Sequence, residues 1–492
     1  MSALADAIRH GQQRSDLGTT SPFSGLRRRH ARTIDVVAQS VAATAPAGVL
    51  LVHPGALFGR SGSFAYLDIV LTITLVIGIA LVIGIFARRI ASTGSLHTFT
   101  ARGLGPRVGL IGGTALAVGY LAIAMNTLWS GAGRIASVVA ASPEPPPPLT
   151  AAIVAVTAVV IAVVIARGLR ISTRILLVLE TVAVLAVLVL SVIALTATKW
   201  DVARLIPRAQ DFSMDAVMIG VAFSLIGFVG FESGVALGPE TRRPFAAIPR
   251  AILISVGATG FVMLVGTAAQ LSLLSEDPAA GALAEVTGLR TLIDLIVGVS
   301  FLACALAMTN AATRVAFALS REGVIPPLFG RVSRRGVPAL GAVALTVIVA
   351  AIPLSTLAAG GSRQDMRAIT APASTLGFLI AYALMCAAAP AFLAKIGELS
   401  ARAVIVSVVP LLALATVLGF YGASATRGNP VGFAWAVGIL AVLVVAGMVR
   451  LARRPGVAAR VGLHDWPVDA DTIAAQVPAA ESDGEDRTGS AR

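Results

Sequence analysis

Two short stretches inside long apolar runs carry the residues best suited to handling a solute. In the first, Ala43-Thr44-Ala45-Pro46-Ala47-Gly48 places a proline and a glycine near the middle of its run. In the second, Gly227-Phe228-Val229-Gly230-Phe231-Glu232-Ser233-Gly234 combines three glycines, two aromatic rings and a carboxylate. Pro46 has no N–H and clashes with the preceding turn, which frees carbonyls. A helix broken there presents N–H groups to an anion and loose carbonyls to a cation. Glu232 adds an acid at membrane depth, where acids are rare and mark functional positions. Its competing reading is a structural carboxylate satisfied by nearby backbone N–H groups. Glu180, in Leu179-Glu180-Thr181, is the other buried acid. It reads as a proton-exchange site, a cation ligand or a helix–helix hydrogen-bond partner. The breaks also have a plainer reading, since Gly and Pro kink membrane helices for packing. A matched pair five spans apart, with Glu232 beside one member, favours a binding site.

Both stretches require helices that cross a membrane. The chain has 492 residues, 57% apolar and only 13% charged, with a mean hydropathy of +0.87. Soluble domains carry about a quarter charged residues, so a soluble enzyme, a nucleic-acid binder and a disordered scaffold are disfavoured together. Runs of about 20 apolar residues recur twelve times. They lie near 35–57, 64–87, 107–132, 149–166, 175–197, 215–237, 249–273, 291–312, 337–357, 368–391, 401–421 and 431–449. Lipid leaves no backbone group unpaired, and runs this long and continuous are helices, not barrel strands. The expected fold class is all-α integral membrane with twelve transmembrane helices.

The formal net charge of +13 forms no single patch, so no nucleic-acid partner is implied. Basic residues punctuate the loops and gather on the face that bears the N-terminus. The other face holds Arg60, Arg134, Lys199, Arg204, Arg208, Arg290, Arg363, Arg367 and Arg427. The positive-inside rule then makes both termini cytoplasmic, in keeping with an even number of spans. Lys199 and Lys395 are the only lysines; the Arg bias suits a high-GC bacterium and a bacterial plasma membrane. Residues 1–33 read as a basic tail able to lie on anionic lipid. Residues 34–395 form the core and 396–450 the last two helices, while 451–492 read as a largely disordered cytoplasmic tail. The first apolar run lacks a cleavage site and is expected to stay as a membrane helix. Pro143 and Pro145 to Pro148 make a stiff external spacer. Cys304 and Cys386 sit in apolar runs and suggest neither disulfide nor zinc.

Three ordered motifs carry a family resemblance. The stretch from Arg88-Arg89-Ile90-Ala91-Ser92-Thr93-Gly94 to Gly103-Leu104-Gly105-Pro106 resembles the loop after the second helix of amino acid–polyamine–organocation (APC) transporters. Gly230-Phe231-Glu232, Pro239-Glu240-Thr241-Arg242-Arg243-Pro244 and Ile248-Pro249-Arg250-Ala251-Ile252 are similar to that family's run from the sixth helix onward. Thr309-Asn310-Ala311-Ala312-Thr313-Arg314, then Ser320-Arg321-Glu322-Gly323 and Pro326, match its eighth helix and following loop.

This resemblance implies a five-plus-five inverted repeat, about 35–197 and 215–391, shared with the bacterial leucine transporter, and two extra C-terminal helices. It implies alternating access and a substrate that is an amino acid or a related amine. In such carriers the broken first helix receives the substrate carboxylate, and the broken sixth holds the amino group and supplies an aromatic gate. Carried over, the substrate set is Thr44, Pro46, Ala47, Gly48, Gly227, Phe228, Gly230, Phe231, Glu232 and Ser233. Tyr120 and Asn126 join it as lesser candidates from the third span. Pro46 departs from the family's glycine and removes one N–H. Glu180 stands near where several proton-coupled relatives carry a lysine, which makes it the coupling candidate and leaves the driving ion open.

Asn310 is expected to brace the eighth helix. Asp68 and Asp294 are expected at span edges in reach of water, and Trp129, Trp200 and Trp435 at the interface. His97 falls in a loop with no second ligand, so no metal is expected. No P-loop, metal-ligand spacing or nucleophile elbow occurs. The reading is a cofactor-free permease, monomeric or weakly dimeric, moving an amino acid or amine with protons or by exchange. A polyamine or cationic amino acid carrier is the alternative, and a non-transporting membrane sensor on the same fold is the third.

Overall fold

The computed structural model describes residues 21–200, 203–273 and 289–465. The sequence assignments for 1–20 and 466–492, within the two tails, lie outside the described residues. Ser21–Ser24 and Asp465 belong to a separate small unit, in which the Ser21 hydroxyl donates to the Asp465 carboxylate at 2.7 Å. The main body, Gly25–His464, is built almost wholly of helices.

The first apolar run breaks where the sequence places Pro46. Helix α1 (Thr33–Thr44) stops at Ala45, and α2 (Pro46–Ser61) restarts at once. Pro46 occupies the first helical position, where its fixed φ fits and its missing N–H is not needed. Ala45 bridges the two in the left-handed conformation, φ 46°, which strains a residue with a Cβ by about 1–2 kcal/mol. A 3-10 turn at Gly62–Phe64 leads into α3 (Ala65–Ala87). The whole stretch Thr33–Ala87 covers 55 residues. That is about 80 Å of helix against about 30 Å of hydrocarbon, so it makes two crossings.

The chain continues through α4 (Leu96–Leu104), α5 (Pro106–Ala140), α6 (Pro147–Arg167), α7 (Leu169–Ala197) and α8 (Met214–Ile226). A glycine-rich turn then enters the 3-10 segment Phe231–Glu240. Helices α9 (Pro244–Leu273), α10 (Arg290–Arg321), α11 (Ala339–Ala358), α12 (Arg363–Lys395), α13 (Ala401–Gly428) and α14 (Pro430–Arg453) complete the bundle. With the first stretch counted twice, the 11 apolar helical runs among the described residues give the expected twelve spans. Several are longer than expected, notably α5 with 35 residues and α10 with 32.

The core forms where α5 packs against α10 and α12, with α1, α2 and the 3-10 segment enclosed by α9 and α10. Close approach at the centre depends on glycine. A Cβ on Gly230 (φ +104°) would lie 2.8 Å from the Ala43 backbone, and one on Gly234 2.5 Å from the Ser40 hydroxyl. Small residues let two backbones touch where dispersion, not water exclusion, drives packing. Helices α13 and α14 are the least enclosed, with α6, and turn Val409, Leu412, Val442 and Val445 outward.

Candidate functional site

A cavity of about 160 Å³ opens at the level of the two breaks. One water needs about 10–15 Å³ on the same measure, so a small solute fits. Thr44, Asn126 and Gly227 of the expected set line it, with Ala43 and Ala45 from the first break. Its walls are apolar: Val49, Val52, Ile123, Phe223, Ile226, Phe301 and Met308. Polar groups come from Thr127, Ser130, Ser374 and His53, and at the mouth from Arg363 and Arg367 at the start of α12. The arginines, His53 and Phe223 were not picked out from the sequence. His53 stacks on Phe223 at 4.0 Å between ring centroids, and Arg60 covers that phenyl ring at 4.0 Å.

Pro46, Ala47 and Gly48 are buried and do not line this cavity. Their donors face the protein. Glu180 Oε1 accepts the Ala47 N–H at 3.1 Å and the Ser300 hydroxyl at 3.0 Å. Ser300 Oγ in turn accepts the Gly48 N–H at 3.0 Å. Glu180 is therefore an internal acceptor at the start of α2, and Ser300 of α10 links it to Gly48. Helix N-termini favour an acceptor there through their unpaired N–H groups.

Phe228, Gly230, Phe231, Glu232 and Ser233 are likewise buried and away from the cavity wall. Glu232 accepts the Gly230 N–H at 3.0 Å and the Tyr382 hydroxyl at 2.6 Å. Both bonds fall on Oε2, with Tyr382 of α12 as an unforeseen partner, while Oε1 has no partner among the described residues. Phe231 packs on Tyr382, and Tyr382 on Phe378, each at 5.9 Å. Phe378 meets Tyr120 edge-on at 5.5 Å. Tyr120 thus belongs to an aromatic column behind the cavity, not to its wall. The Gln39 side-chain amide donates to Ser233 Oγ and the Ser233 hydroxyl donates to the Gln39 carbonyl, each at 3.4 Å, and Asn310 Nδ2 donates to Gln39 Oε1 at 2.9 Å. Asn310 braces α10, as expected, and does so against α1.

Arg314 pairs with Glu240, both buried, and Ala31 forms a bridge with Thr241. His97, fully buried, joins Gly109 O at 2.8 Å and Glu322 Oε2 at 2.7 Å. Burial, the largest influence, pushes this imidazole down, but the Glu322 charge and bond and the Gly109 carbonyl together hold it above its ordinary value. Glu322 Oε1 also receives the N–H groups of Gly462 and Leu463. No group of three or more His, Cys, Asp or Glu among the described residues has the geometry to hold a metal.

Three peripheral expectations are corrected. Asp68 is fully buried, and a Cβ on Gly220 would touch its carboxylate. Asp294 is 6% exposed and paired with Arg134 at 2.5 Å. Trp129 is 5% exposed because the long α5 carries it inside the bundle. Trp200 and Trp435 are exposed.

A family model described as amino acid permease matches residues 35–451. Among curated proteins, the branched-chain amino acid permease BcaP of Lactococcus lactis subsp. cremoris (strain MG1363) is 24% identical over 212 residues. That match covers 39% of this chain and 44% of BcaP, less than half of either. Among solved structures, MhsT in complex with L-phenylalanine aligns with a TM-score of 0.60 at 14% identity, over 80% of this chain and 99% of that one. At that identity the likeness bears on the fold alone, and it is the inverted-repeat helical fold anticipated above.

Proposed function

The chain belongs to the amino acid permease family, and on that premise we propose that it is a secondary active transporter of a neutral, apolar amino acid. One observation carries this reading: a solute-sized cavity at the two helix breaks has apolar walls and no acid among its lining residues. A polyamine or cationic amino acid needs carboxylates there, and Glu180 and Glu232 both turn to protein donors instead. The names of BcaP and of the MhsT complex, a branched-chain and an aromatic amino acid respectively, are consistent with such a pocket.

Transport proceeds by alternating access. The cavity mouth at Arg363 and Arg367 faces outward across a bacterial plasma membrane, and both termini are cytoplasmic. The Arg314–Glu240 pair and the contacts of residues 29–31 with Pro239 and Glu240 form the closed inner gate. Movement of α1 and the 3-10 segment about Ala45 and Gly230 opens it. Protons drive uptake through Glu180, whose oxygen binds the hinge at Ala47 and Ser300. The chemistry is that of a carrier, not of an enzyme.

Uptake of labelled leucine, isoleucine, valine and phenylalanine into proteoliposomes, with and without an inward proton gradient, tests this. Accumulation that collapses with a protonophore is expected. Uptake only after preloading the lumen would replace proton coupling by exchange. No uptake by folded protein would refute the transporter reading and favour a sensor.

A further inference from the structure

We infer that the carboxylate of the substrate is received by Arg363 and Arg367 of α12, at the outer end of the cavity, and not by the N-terminus of α2. The inference deepens the proposed function and rests on it.

The N-terminus of α2 has no donor left to give. Pro46 has no N–H. The Ala47 N–H goes to Glu180 Oε1 and the Gly48 N–H to Ser300 Oγ. The Val49 N–H goes to the Ala45 carbonyl at 2.9 Å. The first-turn groups that ordinarily bind an anion are thus all engaged by the protein. Glu180 itself already fills the acceptor place at that end.

The opposite end has the complementary chemistry. Arg363 and Arg367 line the cavity with exposed guanidinium groups, and neither pairs with an acid among the described residues. Arg367 acts electrostatically on Arg60, His53 and Arg363, and Arg363 also feels Arg134. Clustered like charges at the mouth of a low-dielectric cavity concentrate anions and repel cations. A guanidinium matches a carboxylate with two parallel donors. The Nε2 of His53, buried in the same wall, has no hydrogen-bond partner among the described residues and adds a polar contact beside the arginines. A substrate bound this way points its carboxylate outward and its apolar side chain inward, toward Ile123 and Met308.

Three probes of nearly one shape separate the two ends: L-leucine, 3-methylbutylamine (leucine without its carboxylate) and 4-methyl-2-oxopentanoate (leucine without its amine). Displacement of labelled L-leucine from the purified full-length protein measures each. Wild type is expected to take the oxoacid measurably and the amine at least tenfold more weakly than leucine. Arg363→Gln with Arg367→Gln is expected to weaken leucine tenfold or more, the usual scale for a lost charged hydrogen bond, and to erase the discrimination against the amine. Arg363→Gln with Arg367→Lys, which keeps one of the two charges, is expected to restore part of that discrimination relative to the double Gln variant, an effect that a fold defect does not produce. Leucine binding unchanged in the double variant, or an amine bound as well as leucine by wild type, overturns this inference and leaves the transporter reading intact. Wild-type protein that binds no amino acid overturns both.

Discussion

Replacing Glu180 by Gln and by Ala separates its bonding from its charge. Glu180 Oε1 holds the Ala47 N–H at 3.1 Å and the Ser300 hydroxyl at 3.0 Å, while Oε2 has no partner among the described residues. Glutamine keeps one oxygen acceptor, so both bonds survive without the charge, and Glu180→Gln is expected to change stability by no more than about 2 kcal/mol. Alanine strands two buried donors at about 1–3 kcal/mol each, so Glu180→Ala is expected to lose about 2–6 kcal/mol. Chemical denaturation in detergent checks that ordering. Leucine uptake into proteoliposomes checks the coupling: wild type accelerates with an inward proton gradient, whereas Glu180→Gln transports at a rate indifferent to it. A Gln variant that keeps the wild-type gradient dependence would refute Glu180 as the proton site. An Ala variant as stable as the Gln variant would refute the bonding from which the magnitudes come.

The Tyr382 hydroxyl donates to Glu232 at 2.6 Å, so Tyr382→Phe is expected to destabilise by about 1.5–3 kcal/mol. Combined with Glu232→Gln, a double-mutant cycle should then show coupling, and strict additivity would sink the pairing. Gly230→Ala puts a Cβ 2.8 Å from the Ala43 backbone at φ +104° and is expected to abolish leucine uptake. Gly438→Ala, where nothing lies within 4 Å, should be silent, and equal effects of the two would contradict the packing. His97 is held above its ordinary value by Glu322 and Gly109 against the effect of burial. Its contribution to stability is therefore full below about pH 6.5 and fades as pH rises through the higher folded value. Thermal denaturation between pH 5 and 9 should show that decline in wild type and not in His97→Gln, and parallel curves would exclude it.

Composition and spacing alone determined that this is a membrane bundle, where it breaks and how many times it crosses. The reason is physical: lipid forbids unpaired backbone, so apolar runs of the right length have one solution. Pro46 and Gly230 mark the breaks because proline suits the first position of a new helix and only glycine fits at φ +104° against the Ala43 backbone. Which side chains face the cavity was not settled by such local rules. Thr44, Asn126 and Gly227 line it, whereas Glu232 and Tyr120 turn to Tyr382 and Phe378. Glu180 finds its donors 133 and 120 positions away along the chain, and His97 finds Glu322 at a separation of 225. Arg363 and Arg367 looked like ordinary loop charges until α12 set them at the mouth of the pocket. Rotation of a helix about its axis decides whether a residue meets solute, lipid or protein. In a chain so uniformly apolar, helical periodicity carries little of that information, and only packing against α5, α10 and α12 fixes it.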